Sequence, residues 1–65
     1  MTNRIKRLRE EKKITQKDLA RMANVSQPYL FDLENNRRGG KPETIKRIAD
    51  ALGVDVEELF EQKAG

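Results

Sequence analysis

Two stretches hold the side chains whose types and spacing could do chemistry: SQPYLFD, from Ser26 to Asp32, and NNRRGGK, from Asn35 to Lys41. Gln27 carries a donor and an acceptor on one planar amide, the pairing that matches N6 and N7 on an adenine edge. Asp32 carries only acceptors, which suits the N4 amino group of cytosine. Pro28 and Phe31 would add apolar contact of the kind made to a thymine methyl, and Ser26 opens the tip that would face a groove. Arg37, Arg38 and Lys41 follow closely with fixed positive charge suited to phosphate oxygens. Plainer readings exist for each part. NNRRGGK could be a solvated loop with glycines for turning, Pro28 is an ordinary first-turn residue, and Phe31 could pack on Tyr29 or on a second copy. A surface helix that shows both Pro28 and Phe31 to water is nevertheless harder to explain than one that presents them to a groove.

Other chemistries lack their groups. The sequence has no histidine and no cysteine, which removes the usual general base, the usual metal ligands and any disulfide. A catalyst would need paired carboxylates in a pocket, and 65 residues offer little concavity to hold them. No catalytic residue, metal site or cofactor is expected. No apolar run approaches the ~18 residues of a membrane span, and Met1 leads into charge rather than a hydrophobic leader. A soluble, cytoplasmic protein without a membrane partner is the expectation.

Charge is distributed unevenly around the modest net value of +3. Residues 1–13 carry six Lys/Arg against two Glu, and residues 35–48 carry five against one. The stretch between them is close to neutral, and residues 49–65 carry five acids against one base. Two basic blocks and an acidic tail fit a molecule that offers one end to a polyanion, although 38% charged residues would also make an ordinary solvated surface.

Short helices must position these groups. Thr15 and Ser26 are capping residues, and Asp55 is a third with Glu58 three positions on. Each is preceded by an apolar residue, Ile14, Val25 or Val54, spaced to staple onto Leu19, Leu30 or Leu59. Ile5 and Leu8 give a weak apolar edge to residues 3–12. Ile45, Ile48, Ala49 and Leu52 give a clear amphipathic stripe, with Pro42 in its first turn and Gly53 at its stop. The reading is all-α, five short helices at about 3–12, 15–22, 26–34, 42–52 and 56–61, in one domain spanning 1–65.

Gln16 to Asn35 reads QKDLARMANVSQPYLFDLEN and forms the centre of that domain. A small residue at Ala20 lets a second helix cross closely, Asn24 tolerates the positive φ of a tight turn, and Val25 plugs that turn. Leu30 and Leu33 then face inward, which leaves Gln27, Pro28, Phe31, Asp32 and Asn35 on the outward arc. Helix, tight turn and steeply crossing helix make a helix-turn-helix.

From IKRLREEKKITQKDLA through VSQPYLFDLEN to PETIKRIADALGVDVEELF, residues 5 to 60, the chain resembles the helix-turn-helix domain of phage repressors and Cro, the XRE family. The resemblance implies a lambda-repressor-like domain that binds duplex DNA with its third helix, 26–34, in the major groove, as a transcriptional regulator that represses nearby promoters. It implies that Gln16 grips a backbone phosphate and that Arg9 and Glu34 form a brace between the first helix and the end of the third. Gln16, Lys17, Asn35, Arg37, Arg38 and Lys41 are then the expected backbone contacts, and Ser26, Gln27, Pro28, Phe31 and Asp32 the expected base readers. Arg4, Lys6, Arg7, Lys12 and Lys13 are weaker candidates for DNA contact. Family members bind pseudo-palindromic operators as homodimers, with half-sites ~34 Å apart. Leu59 and Phe60, neighbours that cannot both point fully inward, are the expected dimer surface. The chain ends shortly after Phe60, so no small-molecule effector is expected. Two alternatives stay open: an antitoxin-type protein whose main partner is a toxin, and an adaptor bundle that never touches DNA.

Overall fold

Thr15 and Ser26 both adopt extended backbone at φ −74° and accept a hydrogen bond from the amide three residues on, Asp18 N at 3.0 Å and Tyr29 N at 3.2 Å. They start the second and third helices of a computed structural model that describes residues 3–60. The elements are α1 (Ile5–Glu11), α2 (Gln16–Met22), α3 (Gln27–Glu34), α4 (Pro42–Leu52) and a 3-10 helix (Val56–Leu59). Among the described residues there is no β-strand, only an isolated antiparallel bridge between Asn3 and Phe60. No helix of the described residues is long and apolar enough to cross a membrane.

The expected fifth α-helix, 56–61, is corrected to this 3-10 turn, and residue 61 lies outside the described residues. Asp55 has the extended backbone of a cap, yet its side chain accepts no capping hydrogen bond. The turn is held instead by Glu58 N donating to Asp55 O at 2.9 Å. Phe60 then becomes extended (φ −118°, ψ 142°) to meet Asn3, which stops the helical turn after Leu59.

Among the described residues each of the four α-helices ends on a left-handed residue: Lys13 (φ 58°), Asn24 (58°), Asn36 (60°) and Gly53 (71°). The following amide in each case reaches back five residues, Ile14 to Arg9 O (3.0 Å), Val25 to Ala20 O (2.9 Å), Arg37 to Asp32 O (2.8 Å) and Val54 to Ala49 O (3.0 Å). Ile14, Val25 and Val54 are apolar and pack against the core, so each closes one helix and staples the next element. That double duty keeps three of the connections tight. After α3 the corresponding residue is Arg37, which has no reason to turn inward, and the chain leaves the core as an exposed basic loop.

The core gathers Ile5, Leu19, Leu30, Leu33, Ile48, Leu52 and Leu59, with Ala20, Ala23 and Ala49 also buried among them. Gly40 closes the loop against this core at φ 74°, and a Cβ there would meet Ile45 and Leu33 at 3.0 Å. Arg47 on α4 donates to Ala23 O at 3.1 Å and so ties α4 to the end of α2. Leu59 is fully buried in this core and takes Arg4 N on its carbonyl at 2.6 Å. It therefore cannot supply a dimer surface, which corrects half of the expectation placed on Leu59 and Phe60.

Candidate nucleic-acid interface

Arg9 and Glu34 form a two-pronged ion pair, Nε to Oε2 at 2.7 Å and Nη2 to Oε1 at 3.2 Å. Arg9 adds a bond from Nη1 to Ile14 O at 3.0 Å. Both side chains are nearly withdrawn from water, with 11% and 1% exposure. A carboxylate buried this deeply needs its lone pairs satisfied, and the planar guanidinium fork meets that need from two directions. The pair joins α1 to the end of α3 and so sets the pose of the helix that carries the candidate readers.

The network continues to the surface. Gln16 Nε2 donates to Glu34 Oε1 at 3.1 Å, and Gln16 Oε1 accepts from Gln27 Nε2 at 3.3 Å. The carboxylate can only accept, which orients the Gln16 amide with its nitrogen toward Glu34 and its oxygen toward Gln27. Gln16 keeps one amide hydrogen for a phosphate. Gln27 keeps one amide hydrogen and its carbonyl oxygen, the two groups an adenine edge requires. Buried charge therefore orients the side chains at the rim.

The outward arc of α3 is exposed at Gln27, Pro28 and Asn35, 44% exposed at Phe31, and half-buried at Asp32. Ser26 lies at its start as the N-cap. Asn35 uses one amide hydrogen on Phe31 O at 2.8 Å. Because the loop doubles back after Asn36, Arg37 lies over the Phe31 ring at 5.8 Å and Arg38 over the Tyr29 ring at 5.5 Å. Arg38 also meets Asp32, Nε to Oδ2 at 3.4 Å. Lys17 and Lys41 are exposed. Arg37 and Arg38 thus share a face with the reader candidates Phe31 and Asp32, and Gln16 at the start of α2 joins it through Gln27.

Two residues outside the expected set also position this face. Asn3 accepts from Ile5 N at 3.1 Å and donates to Leu33 O at 2.6 Å and Asn36 Oδ1 at 3.0 Å, which caps both the start of α1 and the end of α3. Its type and place before Ile5 suggest the first bond, but nothing local marks the partner thirty residues away. Tyr29, half-buried against the core, gives Arg38 a flat support. A separate shallow groove of about 640 Å³ is lined by Pro42, Ile45, Ala49, Val54, Val56 and Phe60, with Lys46, Asp50 and Asp55 also on its walls.

Residues 5–59 match a family model described as helix-turn-helix. Over 53 residues the chain is 45% identical to the immunity repressor protein of Bacillus phage phi105, covering 82% of this chain and 37% of the repressor. It spans less than half the length of that repressor and of two bacterial helix-turn-helix regulators it also matches. Among solved structures, the restriction-modification controller protein C.AhdI from Aeromonas hydrophila superposes with a TM-score of 0.84 at 30% identity, covering 88% of this chain and 86% of that one. The biofilm regulator SinR of Bacillus subtilis, in a crystal structure with DNA, superposes with a TM-score of 0.77 at 31% identity, covering 83% and 87%.

Proposed function

Because this chain belongs to the repressor-type helix-turn-helix (XRE) family, we propose that it binds duplex DNA sequence-specifically and regulates transcription, as a repressor, by laying α3 in the major groove. The observation that carries this reading is the Arg9–Glu34–Gln16–Gln27 network, which ties the Gln16 amide at the start of α2 to the Gln27 amide at the start of α3 and leaves Gln27 a donor and an acceptor for a base edge. Residues 1–65 act as one DNA-binding domain with its motif at 16–35. Ser26, Gln27, Pro28, Phe31 and Asp32 read base edges, and Gln16, Lys17, Asn35, Arg37, Arg38 and Lys41 hold the backbone. The role is binding without a chemical step, and such a regulator works in the cytoplasm, where its operator is. The similarity to SinR, solved with DNA, and to a phage immunity repressor supports this reading.

A single α3 reads only a few base pairs, so the operator is pseudo-palindromic and the protein meets it as a homodimer. The groove bordered by Phe60 is the surface proposed for the second copy. Val56 is 40% exposed there, and apolar walls beside one lysine and two aspartates suit a self-complementary two-fold contact. Selection of bound sites from random duplex DNA, followed by a salt titration, tests the function. The expected result is an inverted repeat bound with a log–log salt slope of about −0.9 per phosphate neutralised. Equal binding to every sequence would contradict base readout.

A further inference from the structure

Asp32 is a carboxylate on the face proposed to enter a groove walled by phosphates, and alone it would be repelled. Three features bring Arg38 onto it. Asn36 adopts its left-handed conformation and Arg37 N closes on Asp32 O at 2.8 Å, so the chain folds back along α3. The guanidinium lies over Tyr29 at 5.5 Å. Its Nε meets Asp32 Oδ2 at 3.4 Å. The Asp32 side chain is 31% exposed against 59% for Arg38, so the acid is the more sheltered member and the arginine the one that faces outward.

We infer that Arg38 is a specificity-determining positioning residue: it neutralises and orients Asp32, which allows Asp32 to accept from the N4 amino group of cytosine. The inference rests on the reading that α3 docks in the major groove. The atoms suffice for it. Arg38 occupies Oδ2 through Nε, which leaves Oδ1 as the free acceptor for a base and the two terminal guanidinium nitrogens as donors for a phosphate. Arg38 thereby acts beyond a phosphate contact. Without it, Asp32 is an unscreened charge beside the backbone, and the loss falls hardest on the sites that used Asp32.

Random-site selection with the wild-type protein, Asp32→Asn and Arg38→Ala, followed by affinities for single-base variants of the selected duplex, tests this. Both substituted side chains are outside the core, and thermal melts check that each variant is folded. The wild type is expected to prefer cytosine at one position per half-site by about ten-fold. Asp32→Asn moves that preference to adenine, because an amide pairs with N6 and N7. Arg38→Ala abolishes it while leaving the position read by Gln27 unchanged. If Arg38→Ala weakens all variants by one factor and keeps the cytosine preference, the inference is overturned and the proposed function stands. If Asp32→Asn leaves the preference unchanged or raises affinity uniformly, the inference is likewise overturned. A wild type that selects no sequence overturns the proposed function itself.

Discussion

Gln16 Nε2 lies 3.1 Å from Glu34 Oε1, so the side chain expected to grip a phosphate is aimed by a carboxylate that is itself buried and held by Arg9. Structural brace and DNA-facing rim are therefore one hydrogen-bonded unit. A change at its buried end should be felt at its exposed end.

Arg9→Ala would leave Glu34 buried without its cation, a loss of about 3–5 kcal/mol in comparable cases. That is a large share of the stability of so small a domain, so urea denaturation at 25 °C should show a chain largely unfolded before denaturant is added. The double replacement Arg9→Met with Glu34→Leu should restore a cooperative transition. It should not restore DNA affinity, because Gln16 loses its orienting acceptor. Full affinity in the folded double variant would separate the brace from binding.

Gln16→Ala removes a half-buried side chain and one donor to the buried Glu34 carboxylate, while Arg9 still meets both of its oxygens, so the fold should lose about 0.5–1.5 kcal/mol and stay cooperative. Its DNA affinity should fall for all sequences, and preference at the Gln27 position should also blur, since Gln27 loses the acceptor that holds it. Uniform weakening with intact preference would show that Gln27 orients itself.

Lys13 sits at φ 58°, where a Cβ costs about 1–2 kcal/mol, and its side chain is exposed. Lys13→Gly should stabilise the fold by about 1 kcal/mol, raising Tm by roughly 4–8 °C in a domain of this size. Gly40→Ala should do the opposite, because a Cβ there meets Ile45 and Leu33 at 3.0 Å. Differential scanning calorimetry of both variants decides the sign in each case.

These residues also mark what could be read from the sequence. Thr15, Ser26, Asn24 and Gly53 announce their conformations through local chemistry, and the inward leucines follow from helical periodicity. The outward arc of α3 followed from the same geometry. Lys13 has no intrinsic preference for left-handed backbone, and it adopts it because Ile14 must turn inward. Asp55 looks like a cap by type, but the chain after Leu59 is drawn into extended backbone by Asn3, a partner far away in sequence. The Arg38–Asp32 and Asn3–Leu33 contacts depend on how the loop and the N-terminus fold back, which residue types alone do not encode.

Val56→Arg tests the second copy. Val56 is 40% exposed, so the monomer should melt unchanged, whereas sedimentation should show loss of dimer. Affinity for the full inverted repeat should fall much more than affinity for a half-site. A dimer that survives the substitution would place the two-fold contact elsewhere.

Binding of Gln27→Ala to the selected duplex and its single-base variants over a range of salt decides whether Gln27 on α3 reads a base. Loss of discrimination at one base position, worth about 1–3 kcal/mol, is expected with the salt slope unchanged. A uniform loss on every sequence, accompanied by a shallower salt slope, would mean that Gln27 touches only the backbone and would contradict base readout.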